Sequence, residues 1–160
     1  LDETSNKLQQ TPISQLESLR IEEVHLEEAI HGNMLEIKAS FDLREAEKIG
    51  FDLQCGDEKL QIALDAESKK FTCLTEESSL QLLHKKDCEL HIFIDHAVVE
   101  VFINQQEVFT AFFRPVDPKQ RWIVQLIPES KAGLRTIQAW RLSGENVNQL
   151  ACWEDQASAK

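Results

Sequence analysis

Residues 90–115 read LHIFIDHAVVEVFINQQEVFTAFFRP, and the fold turns on how this stretch is parsed. Leu90, Ile92 and Ile94 alternate with His91, Phe93 and Asp95. After a tight connection at His96 and Ala97, Val99, Val101 and Ile103 alternate with Glu100 and Phe102. A period of two puts each set on one face of a strand, so the two runs make a hairpin with one buried face. A second hairpin turns at Asn104, Gln105 and Gln106 into a strand from Glu107 to Phe113. That turn lacks Gly, although positive φ is cheapest for Gly and tolerated by Asn.

The same period recurs on both sides. Leu35, Ile37, Ala39 and Phe41 alternate with Glu36, Lys38, Ser40 and Asp42. Shorter runs follow at Ile49 to Cys55, Leu60 to Asp65 and Phe71 to Thr75. Trp122 to Ile127 and Leu134 to Leu142 continue the series, and Leu150 to Trp153 would close it. Turn residues punctuate it at Gly56 with Asp57, at Pro115 to Pro118, and at Lys131 to Gly133. Short strands at such spacing predict an all-β sandwich or barrel with little helix. Leu43 to Lys48 has good helix formers but is too short for more than a turn.

The opening of the chain differs. Leu1 to Gln10 is polar, Pro12 introduces Ile13, Leu16 and Leu19 at a spacing of three, and Glu22, Glu23, Glu27 and Glu28 surround Val24 and Leu26. This reads as a connector, so the expected organisation is a linker and N-terminal extension over 1–34, a β-sandwich over 35–155 and a tail over 156–160.

Composition narrows the function. The chain has 160 residues, 42% of them hydrophobic, with 17 Lys and Arg against 28 Asp and Glu for a net charge of −11. Such a chain can bury a self-sufficient core. Its charge argues against nucleic acid, whose binding is driven by Lys and Arg displacing counterions, and against an anionic membrane surface. No 18-residue apolar run spans a bilayer, and no signal-peptide pattern opens the chain. Cys55, Cys73, Cys88 and Cys152 form no C-x-x-C pair. They read as small buried apolar residues, or as one of three disulfide pairings in a secreted protein.

Candidate chemistry is sparse. No G-x-S-x-G, P-loop, H-E-x-x-H or G-x-G-x-x-G occurs, so serine-hydrolase, nucleotide, zinc-protease and dinucleotide readings lack local support. His91 with His96, and His25 with His31, are too scattered for a metal site, and no cofactor is expected. Asp95 and Glu100 flank a hairpin and could meet as a carboxylate pair, the arrangement a glycosidase needs, but they read first as turn or rim residues. Tyr is absent, while there are eight Phe and three Trp. A sugar platform would therefore rest on Trp122, Trp140 or Trp153, with Trp140 reading first as a core residue beside Ile137, Ala139 and Leu142.

The stretch from Leu90 to Pro115 resembles the C-terminal β-sandwich of glycoside hydrolase family 32, the invertase, levanase, inulinase and sucrose-6-phosphate hydrolase group. There an aliphatic-Phe-aliphatic-Asp strand leads through a polar turn into Val-Glu-Val-Phe, then Asn, a turn, and a strand ending near Pro. Ile92, Phe93, Ile94, Asp95, Val99, Glu100, Val101, Phe102, Asn104 and Pro115 match it. TPISQLESLR at 11–20 is similar to the family's linker, and LEIKASFDL at 35–43 with FDLQCGDEKLQIALDAESKKF at 51–71 is similar to its first strands. The likeness spans about residues 9 to 142.

This resemblance implies a two-sheet antiparallel β-sandwich of jelly-roll, concanavalin-like type. Phe93, Asp95, Val99, Glu100, Phe102, Asn104 and Pro115 would then be structural. Family members carry catalysis on an N-terminal β-propeller, through an Asp in a W-x-N-D-P-N-G-type motif, an Asp in R-D-P and a Glu in an E-C motif. None of these occurs here; Val116-Asp117-Pro118 and Cys152-Trp153-Glu154 lack the right neighbours. No catalytic residue carries over. The implied role is a non-catalytic module that supports the stability, cleft or oligomerisation of a propeller on the same polypeptide. The competing reading is a lectin-like module binding sucrose or fructan through Trp122 or Trp140, and a third pairs two copies as a homodimer. The group has both secreted and cytoplasmic members. The absence of an N-x-[ST] sequon and the scattered cysteines lean toward a reducing interior.

Overall fold

The computed structural model describes residues 8–25, 29–73, 76–79, 86–112 and 120–143. Among them are twelve strands: β1 (Arg20–Val24), β2 (Ile30–Gly32), β3 (Met34–Asp42), β4 (Lys48–Cys55), β5 (Glu58–Asp65), β6 (Lys70–Cys73), β7 (Glu76–Ser79), β8 (Asp87–Asp95), β9 (Val98–Ile103), β10 (Glu107–Phe112), β11 (Trp122–Leu126) and β12 (Leu134–Leu142). Two 3-10 helices, Ser14–Leu19 and Pro128–Lys131, are the only helical turns among the described residues. Leu16 and Leu19, spaced at three, sit on the first.

The strands form two six-stranded sheets, β1-β12-β3-β8-β9-β10 (sheet I) and β2-β11-β4-β5-β6-β7 (sheet II). All pairings are antiparallel. Of the sandwich or barrel that the alternation predicts, the two-sheet antiparallel sandwich implied by the resemblance is the fold. Its core follows from the period of two: Leu35, Ile37 and Phe41 of β3, Leu90, Ile92 and Ile94 of β8, and Val99, Val101 and Ile103 of β9 are all buried. They face Ile49, Phe51 and Leu53 of β4, Ile62 and Leu64 of β5, and Phe71 of β6. Aromatic pairs join the sheets, with Phe41 edge-on to Phe51 at 6.3 Å and Phe71 against Phe109 at 4.7 Å between centroids. Gly50 lies at φ +138°, where an added Cβ would fall 2.0 Å from the Ile62 carbonyl oxygen, so β4 and β5 need glycine here.

Residues read as a connector are part of the sandwich. β1 pairs with β12 from Arg20↔Leu142 to Val24↔Ala139, and β2 pairs with β11 through Trp122↔Gly32 and Val124↔Ile30. The sandwich therefore takes in strands ahead of Leu35. Both are sheet edges held by backbone hydrogen bonds; β1 exposes Glu22 and Glu23 and β2 is only three residues long, so hydrophobic alternation is faint. A bulge between Arg20 and Glu22 disrupts it further and leaves Ile21 exposed. Glu76 and Glu77 belong to another edge strand, β7. The proposed strand over 150–153, Cys152 and the 156–160 tail lie outside the described residues.

The two connections in the deciding stretch have distinct anchors. His96 has φ +51°; its N–H donates to the Asn33 carbonyl at 2.7 Å, and its carbonyl accepts the Trp122 Nε1–H at 2.7 Å. The next turn has φ +50° at Asn104 and +58° at Gln105, closed by the Gln106 N–H on the Ile103 carbonyl at 3.0 Å. Two positive-φ central residues are the type I′ solution for a hairpin, reached here without Gly.

Candidate functional site

The outer face of sheet I carries an unusual polar cluster. Glu36 points away from the sandwich core yet is only 1% exposed. Its carboxylate accepts Arg20 Nε–H at Oε2 and a second Arg20 N–H at Oε1, both at 2.7 Å. His91 Nε2–H donates to Oε1 at 2.8 Å, and Lys38 Nζ stands 3.6 Å away. The register explains the convergence. Glu36 lies opposite Phe93 on β8 and Trp140 on β12, with Lys38 opposite His91, and β1 brings Arg20 in from the edge. The Arg20 guanidinium stacks 4.0 Å above the Trp140 ring, which covers the ion pair.

Burial alone pushes the Glu36 carboxyl upward. The hydrogen bonds from Arg20 and His91 outweigh it and hold the group at about 2. A carboxyl that stays ionised, with both oxygens engaged, has no proton to give at neutral pH and cannot serve as the general acid of glycoside hydrolysis.

Beside this cluster lies a cleft of about 390 Å³ between the sheet and the segment Thr11–Glu17. His91, Phe93 and Phe102 form its aromatic end, with His91 and Phe93 ring centroids 4.6 Å apart and Phe93 edge-on to Phe102 at 6.2 Å. Ser40 and Thr136, whose hydroxyls are 2.7 Å apart, Gln138, Glu89 and Asn104 supply polar groups. Asn104 Oδ1 accepts the Glu89 N–H at 2.8 Å, while its buried Nδ2 has no hydrogen-bond partner. The segment is tied down by Gln10 N–H on the Gln105 carbonyl at 2.8 Å and by Glu17, which reaches Arg20 at 3.2 Å and Lys38 at 3.5 Å.

Residues 3–141 match the family described as Glycosyl hydrolases family 32 C terminal. The chain belongs to that family. Among solved structures, this family 32 domain is similar to the β-fructofuranosidase of Bombyx mori, at 21% identity and a TM-score of 0.67 over 86% of this chain and 30% of that one. It is similar also to the exo-inulinase of Aspergillus awamori (16%, TM-score 0.61, 86% of this chain and 32% of that) and the sucrose-6-phosphate hydrolase of Lactobacillus gasseri (19%, 0.60, 87% and 32%). The chain thus spans about a third of the length of the solved enzymes it matches. No curated protein matches it.

The residues singled out in the sequence scatter over this family 32 domain. Val99 is core; Phe93 and Phe102 line the cleft; Asn104 makes the turn beside it. Asp95 sits exposed at the end of β8, 2.7 Å from His96 Nδ1, and Glu100 lies opposite Phe93. Neither lines the cleft, and the register sets Asp95 opposite Val98 rather than Glu100. Pro115 lies outside the described residues. Trp122 is 1% exposed with its indole N–H engaged inside, which removes it as a sugar contact. Trp140 is not a core residue: Ile137 and Ala139 hold the inward-facing positions, and the period of two turns Trp140 outward beneath Arg20, next to the cleft but not lining it. Glu36, Arg20 and His91 were missed. Their one sequence signal, an acid in the outward set of β3, gains meaning only once β3 pairs with β8.

Proposed function

We propose that this chain is the non-catalytic β-sandwich of a β-fructofuranosidase-type glycosidase, packed against a β-propeller on the same polypeptide that hydrolyses sucrose or fructan. The observation that carries this reading is the family match over residues 3–141 in a chain a third as long as the enzymes it resembles. The W-x-N-D-P-N-G, R-D-P and E-C motifs are absent from the sequence, and the one carboxylate buried beside the cleft is locked in its ionised form. The sandwich contributes a rigid surface: a dry core between two six-stranded sheets gives the partner domain a fixed platform.

Two measurements test it. The purified chain, assayed with sucrose, inulin and levan, is expected to release no reducing sugar above buffer, and hydrolysis that Glu36→Gln abolishes would overturn the reading. The reading frame preceding Leu1 should encode a propeller with the three catalytic acids.

A further inference from the structure

We propose that the cleft between the Thr11–Glu17 segment and the outer face of sheet I binds a neutral saccharide of one or two rings. This stands on the geometry of the cleft alone, whether or not a propeller is attached. At about 390 Å³ the cleft falls at the small end of ligand pockets. Its two ends differ in the way a sugar ring does. Half-buried Phe102, backed by buried Phe93, offers ring surface to the apolar C–H face of a sugar, while Ser40, Thr136, Gln138 and Glu89 offer donors and acceptors to its hydroxyls.

Other ligand chemistries fit less well. The cations at the cleft are committed, Arg20 to Glu36 and Glu17 and Lys38 to the same two carboxylates, so an anion would have to compete with existing ion pairs. Among the described residues no group of three His, Cys, Asp or Glu converges to hold a metal. A wholly apolar ligand would strip water from the Ser40, Thr136 and Gln138 side chains without replacing their hydrogen bonds, at a cost a sugar avoids. Asn104 adds a directional feature. Its amide cannot flip, because Oδ1 already accepts from Glu89, so the partnerless Nδ2–H keeps one orientation. A sugar oxygen that displaces the wall side chains at that end would give this donor its missing acceptor.

The test is a titration of the ¹⁵N-labelled 160-residue chain with sucrose, fructose and glucose, followed by amide shifts, with sodium sulfate as the anionic arm. At least one sugar is expected to saturate shifts at Lys38–Ser40, Glu89–Phe93 and Phe102–Gln105, with a dissociation constant of order 1 mM. Phe102→Ala, at a half-exposed position, should weaken binding ~10-fold with spectral dispersion unchanged, and Thr136→Val should weaken it by a smaller factor of ~3. Either variant binding like the parent overturns the site. So does the absence of saturation by all three sugars at ~100 mM, or sulfate moving the same amides at lower concentration than any sugar.

Discussion

Glu36 and Asp42 stand on the same face of one strand, β3, and both are about 1% exposed, yet they are held by opposite strategies. Glu36 takes its two shortest bonds from one guanidinium, that of Arg20, which is itself only 19% exposed against Trp140, and His91 and a more distant Lys38 complete the set. Asp42 is shared by two arginines, Arg44 at 2.6 Å and Arg135 at 2.5 Å, both far more exposed, and also accepts the Arg44 backbone N–H at 3.0 Å. The first arrangement buries its principal neutralising contact; the second relies on two arginines that stand in water. A buried carboxylate is thus not one kind of feature. Its sensitivity is set by how wet its partners are.

The contrast breaks most clearly on removing Arg20. Arg20→Ala leaves Glu36 charged and desolvated with only His91 and a distant Lys38, and should cost about 3–5 kcal/mol in urea unfolding. If it cost no more than Arg44→Ala, the distinction would be empty. Acid comes next. Hydrogen bonds from Arg20 and His91 overcome burial and hold the folded-state Glu36 carboxyl at about 2, below its unfolded value near 4.5, so its contribution is fully present above that unfolded value. It is lost as pH falls from there toward 2, and the loss should amount to about 2–3 kcal/mol. Glu36→Gln should flatten that part of the stability profile. Asp42 is depressed in the same direction, first by its hydrogen bonds from Arg44 and Arg135, so some acid sensitivity should survive in Glu36→Gln.

A smaller effect tests the shared strategy. Arg44→Ala and Arg135→Ala singly should each cost under about 1 kcal/mol, while the double variant should exceed their sum, since either arginine covers for the other. Smallest of all, Glu17→Ala removes only exposed contacts to Arg20 and Lys38 and should stay within about 0.5 kcal/mol in thermal melts.

Much of this architecture was legible in the residues, and the reasons are local. β8 and β9 announce themselves because Leu90, Ile92 and Ile94 and then Val99, Val101 and Ile103 alternate without interruption, and a half-buried strand cannot hide that period. β1 and β2 escaped because edge strands are stabilised by backbone pairing, which leaves no mark on side-chain identity. Trp140 was misread although its position relative to Ala139 already turned it outward. The Glu36 cluster was beyond reach for another reason: Arg20, Glu36 and His91 come from three strands, and their meeting depends on sheet order, which no short window of sequence contains. The turn at Asn104 lies between these cases. Asn was recognisable as a positive-φ residue, but its side-chain bond to Glu89 needed the register of β8 on β9.

The buried thiols of the core also have an experimental use. Cys55 and Cys88 are free and enclosed, at 2% and 0% exposure, and burial, with Glu89 nearby, pushes the Cys88 thiol up to about 12. Cys55 lies at the end of β4 in sheet II and Cys88 near the start of β8 in sheet I. An alkylating reagent can reach either only when its sheet parts from the other, so the two sulfurs are clocks on opposite halves of the molecule. Equal labelling rates would mean that the sandwich opens as one unit, and unequal rates would name the sheet that lets go first.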